Sequence, residues 1–330
     1  WPGPATQKRG PAKAMRKYFV GCLSVLAFLA LTPVVFIVLM GLFYNPRVGT
    51  LDNYADSARL AAPPPPLAEP LELTVVTYNI QDLWPVGAQP FDLRMEAIGA
   101  ALRQLDPDIV GFQEAFQASS REVLKAACAG SRLEHWHYYE SGTVGSGLLT
   151  ASAWPIEETY FHRFTIANPP YKVWEGDWWA GKGMGMARIA LPNGGYVDLF
   201  NTHAQAGYGN PYYDEVRAQQ MQECADFINA ARLPTMPAFA VGDFNCRIGD
   251  TDCDRLITGS ALQHLRTVEG GIDLIFGVSD PLYVYETLET VRIDGTVEHE
   301  GRTMHWSDHD GWLSLIRVTP AALLGEGTPS

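Results

Sequence analysis

The chain has 330 residues, 47% hydrophobic and 18% charged. That supplies a core for one large domain or two small ones and excludes a disordered, collagen-like or coiled-coil protein. Its net charge of −13 argues against a nucleic-acid partner, whose affinity rests on Lys and Arg neutralising phosphates.

The charge is unevenly spread. Residues 1–17 hold Lys8, Arg9, Lys13, Arg16 and Lys17 and no acid, so the other residues carry −18. Phe19 to Leu42 follow, 24 residues without a charge. A bilayer core takes about 20 apolar residues as a helix, whereas a secretory h-region runs to about 7–15. The pattern predicts a basic cytoplasmic tail (1–17), a single transmembrane anchor (18–44) kinked at Pro33, and an extracytoplasmic remainder. A cleaved signal peptide is the alternative. Residues 45–70, with Pro63 to Pro66, read as a stiff linker. A folded domain is expected over 71–320 and a short tail over 321–330.

Within that domain strands alternate with helices. Leu73–Ile80 is a β-rich run. Asp92–Leu105 places Ile98, Leu102 and Leu105 on one helical face, stopped by Asp106-Pro107. Ile109–Phe112 reads as a short buried strand. Ser119-Ser120-Arg121-Glu122 has the spacing of a capping box opening a helix to Ala129. Met186–Leu191, Tyr196–Asn201, Ala238–Val241, Ile272–Phe276 and Trp312–Val318 are strand-like. The helix expected over Asp214–Ala231 turns Cys224 inward with Val216, Phe227 and Ile228. Cys246 and Cys253, seven apart, read either as a bridge in an oxidising compartment or as free thiols. Many strands and few helices predict stacked sheets with helices outside.

Polar residues gather where these strands end. Asn79 closes the first strand and Glu114 follows the short apolar one. Asn201-Thr202-His203 and Gly242-Asp243-Phe244-Asn245 follow two more. Asp273 lies in a strand, and Ser307-Asp308-His309 precedes the last. Carboxylates, amides and imidazoles at one sheet edge suit a hard cation and a phosphate, because Mg2+ takes a few carboxylate oxygens and keeps water and phosphate as other ligands. Glu114 is the leading metal ligand. His309 is the candidate base, since an imidazole titrates near neutrality, and Asp273 its orienting carboxylate. Asn79, His203 and Asn245 are candidate donors to the phosphate.

These pieces resemble the endonuclease/exonuclease/phosphatase superfamily, the deoxyribonuclease-I-like fold: TYNI with Asn79, GFQEA with Glu114, NTH with His203, GDFN with Asp243 and Asn245, ID with Asp273, and SDH with Asp308 and His309. The resemblance implies a four-layer α/β/β/α sandwich and Mg2+-dependent (or Mn2+-dependent) phosphoester hydrolysis with one or two ions. It also implies metal ligation by Glu114, with Asn79 and Asp308 beside it, and a catalytic set of His309, Asp273, Asp243, Asn245, His203, Asn79 and Asp308.

Gly145-Ser146-Gly147-Leu148, Trp154-Pro155-Ile156 and the run Tyr171–Gly183 (YKVWEGDWWAGKG) are similar to neutral sphingomyelinases. So is THAQAGY at Thr202–Tyr208, with Ala204 in place of the usual Leu. The expectation is a membrane-anchored phosphodiesterase that cleaves sphingomyelin or a related phospholipid. Lys182, Asn201 and Trp178 are its candidate substrate contacts. Lys182 suits a phosphate or a neighbouring carboxylate. Trp174, Trp178 and Trp179 suit the headgroup layer, where indoles concentrate, or the core. An extracytoplasmic nuclease and an inositol-phosphate phosphatase are the alternatives; each calls for more cations near the motifs than Lys172, Lys182, Arg188 and Arg247 provide. The intact acidic and imidazole set speaks against a non-catalytic receptor.

Overall fold

The computed structural model describes residues 11–39, 42, 64–83, 90–169, 172 and 174–324. The start of the basic stretch, most of the proline-rich linker and residues 325–330 lie outside them. Helix α1 (Pro11–Leu39) begins inside the basic stretch, earlier than the charge pattern suggests. Its apolar part, Tyr18–Leu39, has 22 residues of mean hydropathy 2.7 with no side chain buried by the protein. That is long and apolar enough to cross a bilayer, and a signal sequence meets the same description. The hydroxyls of Ser24 and Thr32 donate to the carbonyls of Val20 and Phe28 one turn back, which satisfies them without water.

Two six-stranded sheets form the rest. The first contains β1 (Leu71–Asn79), β2 (Ile109–Gln113), β3 (His135–Tyr138), β4 (Leu149–Ser152), β11 (Tyr283–Ile293) and β14 (Gly311–Pro320), in the order β11-β14-β1-β2-β4-β3. The second contains β5 (Ile156–Arg163), β6 (Gly183–Ala190), β7 (Tyr196–His203), β8 (Ala238–Asp243), β9 (Leu262–His264) and β10 (Asp273–Val278), in the order β5-β6-β7-β8-β10-β9. Each sheet has one parallel pair at its centre, β1–β2 in the first and β7–β8 in the second, flanked by antiparallel partners. A separate hairpin, β12 (Thr296–His299) and β13 (Arg302–His305), stands outside both.

The apolar residues sort into three layers of core. Leu73, Val75, Ile109, Leu199, Phe239, Val241 and Ile316 pack between the sheets. Helices α2 (Phe91–Leu105) and α3 (Ala118–Ala127) cover the outside of the first sheet through Met95, Ile98, Leu102 and Leu124. Helices α5 (Tyr212–Ala231) and α6 (Thr251–Gly259) cover the second through Met221, Cys224, Phe227 and Leu256. The architecture is the four-layer α/β/β/α sandwich. One-turn helices α4 (Gly176–Trp179) and α7 (Ala321–Leu324) complete it.

Two local expectations change, and one open alternative is decided. Helix α3 starts at Ala118, so Ser119 lies inside it, and no side chain caps its first turn from within. Instead Asp82, from the segment after β1, accepts hydrogen bonds from the Gln117 backbone N–H and side-chain amide. The linker ends sooner than residue 70: Leu67 is buried between the sheets and its N–H donates to the Tyr283 hydroxyl. Cys246 and Cys253 are buried free thiols.

The sheets approach closely at their centre, where a Cβ on Gly111 would lie 2.5 Å from Val241 Cγ2. Asn201 fills the neighbouring space. It was expected to face substrate, but it is 0% exposed. Its amide nitrogen donates to the carbonyls of Phe112 and Leu149 in the first sheet, and its oxygen accepts from the Gln113 amide. Asn201 is therefore a staple between sheets. Asn201→Ala strands those buried groups, and we expect a loss of about 3 kcal/mol in urea unfolding; a loss below about 1 kcal/mol would contradict that role.

Candidate active site

The strand ends converge at one edge of the sandwich. In the second sheet, His203, Asp243 and Asp273 occupy one register row across β7, β8 and β10. In the first, Asn79 pairs with Gln113 at the ends of β1 and β2, and Glu114 follows at once. Glu114 and Asn245 both adopt left-handed backbone (φ 57° and 51°), a conformation that non-glycine residues hold only where the surroundings enforce it.

A pocket of about 150 Å3 opens above this row, lined by Glu114, His203, Asp243, Asn245 and His309 together with Leu83, Phe116, Asp177 and Tyr208. On its floor the Asn79 amide donates to Glu114 Oε1 (3.1 Å) and Asp243 Oδ2 (3.0 Å), and Asn79 Oδ1 accepts from the Gln81 N–H. Both amide hydrogens thus hold carboxylates, so Asn79 positions Glu114 and Asp243. His309 Nδ1 lies 2.9 Å from Asp273 Oδ2, and its Nε2 lies 3.7 Å from Asp243 Oδ2. The Asn245 side chain donates to the Ala204 carbonyl, and its backbone N–H to Asp243 Oδ1. Asp308 is exposed, and it is neither in the pocket lining nor in the cluster of Asp243, Asp273 and His309 whose ligand atoms lie within 4.8 Å of one another.

The electrostatics follow from this packing. Burial pushes the Glu114 carboxyl up, against the Asn79 hydrogen bond and the Lys182 charge that lower it. Asp243 rises to about 7, chiefly through burial and then through the Asp273 charge. Burial alone would depress His309, but the Asp273 hydrogen bond and charge, with Asp243 and Asp308 behind them, raise it to about 9. His203 is held well below the usual imidazole range by burial, then by Lys182 and His309.

Lys182 is buried and donates to Asp177 Oδ1 (2.7 Å), the Ala204 carbonyl (2.8 Å) and His203 Nε2 (3.0 Å). Those three contacts use all three of its donors. Its partner is therefore the neighbouring carboxylate, and it keeps His203 neutral. Trp178 is 7% exposed and packs edge-on against Trp179. The turn of α4 sends Asp177 and Trp178 inward, while Trp174 stays 70% exposed under the Lys172 ammonium. The exposed indole is thus Trp174 and not Trp178.

Sequence reasoning missed Asp177 and Tyr208 as lining groups. The signal for Asp177 was Lys182 five residues on, a buried cation that needs an anion. Tyr208, whose hydroxyl accepts from the Asp177 N–H, closes the THAQAGY run, which pointed to a family and not to this contact.

The residues present fit a metal. Glu114 Oε2 is buried and accepts no hydrogen bond from any described residue, although its other oxygen is fixed by Asn79. A buried carboxylate oxygen left bare is costly unless a cation takes it.

The Endonuclease/Exonuclease/phosphatase family profile matches residues 76–313. Among curated relatives, the inositol phosphosphingolipids phospholipase C of Schizosaccharomyces pombe is 31% identical over 176 residues, covering 53% of this chain and 41% of its own. Sphingomyelin phosphodiesterase 2 of Rattus norvegicus is 30% identical over 185 residues, covering 56% and 43%. This chain thus spans about two fifths of the length of those relatives. A mutant beta toxin of Staphylococcus aureus, solved with bound magnesium ions, superposes with a TM-score of 0.59 at 19% identity, covering 74% of this chain and 99% of the toxin; that likeness is one of fold. The match spans most of the two-sheet domain and every strand end that lines the pocket, and the chain belongs to the Endonuclease/Exonuclease/phosphatase family.

Proposed function

We propose that this chain is a Mg2+-dependent phosphodiesterase of the neutral sphingomyelinase type. It hydrolyses sphingomyelin or a related phospholipid to ceramide or diglyceride and a phosphorylated headgroup. The observation that carries this reading is the Glu114 carboxylate, fixed by Asn79 with one oxygen bare, in the same pocket as the Asp273–His309 pair. The names of the relatives support the lipid class.

Glu114 would hold the cation, with Asp308 at the open side. When bound, such an ion withdraws charge from the phosphoryl oxygens and acidifies a coordinated water. His309, oriented through Nδ1 by Asp273, presents Nε2 to the pocket, and its neutral form, a minority near neutrality that grows as pH rises toward 9, takes the proton of the attacking water. Asn245 has one amide hydrogen left for a phosphoryl oxygen. Lys182 stays behind His203 and, held by the pocket-lining Asp177, keeps its ring in place.

The apolar helix is read as a single-pass anchor with the basic end cytoplasmic and the catalytic domain outside. It would hold the pocket near its bilayer and raise the effective substrate concentration. Phosphocholine release from sphingomyelin, measured with the full chain in mixed micelles alongside phosphatidylcholine and plasmid DNA, tests the reading. Mg2+-dependent release that EDTA stops is the expected result. DNA cleavage without lipid turnover would refute the lipid assignment.

The position of Trp174 gives a further prediction. Trp174→Ala should slow hydrolysis of sphingomyelin in vesicles about tenfold, the effect of losing most of one interfacial indole. It should leave a soluble chromogenic phosphodiester within about twofold. Equal losses on both substrates would rule out a role for this indole in meeting the bilayer.

A further inference from the structure

Helix α2 carries a charged residue on its buried face. Arg94 is 1% exposed and lies one turn before Ile98, among Met95, Ile98 and Leu102. A guanidinium in such a place is tolerated only if its donors are used. Three of them are used on main-chain carbonyls of two separate loops. Nη2 donates to Ile80 O (2.7 Å), Nη1 to Gln81 O (3.1 Å) and Nε to Trp306 O.

Those carbonyls bracket the active site. Ile80 and Gln81 directly follow Asn79, and Gln81 sits in left-handed backbone (φ 49°). The same loop is tied to the second strand: the Ile80 N–H donates to Gln113 O and the Asp82 N–H to Glu114 O. On the other side, Trp306 immediately precedes Ser307-Asp308-His309. There the Ser307 hydroxyl donates to Asn79 O, and the His309 N–H donates to the Ser307 oxygen. One guanidinium thus clamps the loop that directly follows Asn79 and abuts Glu114 to the loop that carries Asp308 and His309. No point charge could replace it. A Lys ammonium lacks the planar fork that reaches two adjacent carbonyls and a third on another loop.

We propose that Arg94 is a positioning residue for the reaction, setting the distance between the Asn79–Glu114 side of the pocket and the His309 side. This rests on the phosphodiesterase reading above. Arg94 touches no substrate. It acts through the two loops, so its loss displaces the base relative to the phosphate site without removing either.

The test compares kcat and KM for the wild-type chain, Arg94→Lys and Arg94→Ala, with Leu102→Ala, two turns further along, as a control that loosens the same helix without removing a hydrogen bond to either loop. A misplacement of about 1 Å costs on the order of 100-fold in rate. We therefore expect that loss in kcat for both Arg94 variants, with KM within about threefold. Leu102→Ala should melt earlier yet keep its kcat at a temperature where it is folded. Millimolar guanidinium should raise the kcat of Arg94→Ala about fivefold and leave wild type unchanged, because the cavity accepts the missing fork.

If Arg94→Ala does not fold, Arg94→Lys decides. Arg94→Lys at the wild-type rate, or a loss confined to KM, overturns the proposal. A wild-type chain that hydrolyses no phosphodiester overturns the functional reading instead, so the two failures are told apart.

Discussion

Glu114→Gln is expected to remove Mg2+-dependent hydrolysis, by on the order of 1,000-fold or more, while the chain stays folded. The magnitude is the several kcal/mol that a correctly placed cation contributes to a phosphoryl transition state. The fold survives because a Gln side-chain oxygen can still accept from the Asn79 amide, which now meets Glu114 Oε1. Stability without metal should hold or rise. Burial raises the Glu114 pKa in the folded chain, so its ionised form at neutral pH is a burden that grows as pH climbs through the carboxylate range, and the amide removes that burden. Thermal melts read this directly. Wild type should gain in Tm with millimolar Mg2+, as any ligand that binds only the folded state requires, and Glu114→Gln should not. Near-wild-type turnover, or an undiminished Mg2+ shift, would dismiss Glu114 as the ligand.

His309→Ala should cost about 1,000-fold in kcat, within the span of a lost general base. The Mg2+ shift in Tm should persist. The two variants therefore separate: one loses metal response and rate together, the other loses rate alone. His309 meets solvent at the pocket and is fixed on its inner side by Asp273, so added imidazole should restore part of the rate. Turnover within about threefold of wild type would contradict the role, since no base in this position would then be limiting.

The candidate pocket was legible in the sequence because its groups are polar residues abutting apolar strands, and each strand length sets where such a residue falls. Asn79, His203, Asp243 and Asp273 all sit at the ends of β1, β7, β8 or β10. What the pattern could not convey is which way a polar side chain turns. Asn201 precedes His203 by two residues in a strand buried on both faces, and its amide crosses to the other sheet. Asn79 was read as a phosphate contact, yet its hydrogens are taken by two carboxylates.

The edge elements escaped for another reason. Strand β11 mixes buried Tyr with exposed Glu and half-buried Thr, and β3 is only four residues long, so neither offers a long apolar run. Helix α6 opens on Thr251-Asp252-Cys253-Asp254. Its sequence reads as a loop until Asp252 meets Arg217 and Leu256 joins the core. Arg94 was invisible because a cation on an apolar helical face is ordinarily a solvent residue at the margin.

On the single-pass reading proposed above, the pairing of β1 with β14 decides how the domain can stand on a membrane. Leu71 lies opposite Val318, near the end of the last strand, while Asn79 lies at the far end of β1. The chain thus enters the sandwich at the edge away from the pocket, about 27 Å from it along a nine-residue strand. A short tether from α1 would point the pocket away from its own bilayer. The 27 residues between Leu39 and Leu67 reach at most about 90 Å, enough to let the domain roll over and lay its pocket on the surface that anchors it. On that reading, shortening that stretch to a dozen residues would leave the domain attached but facing outward, its pocket turned to a neighbouring membrane.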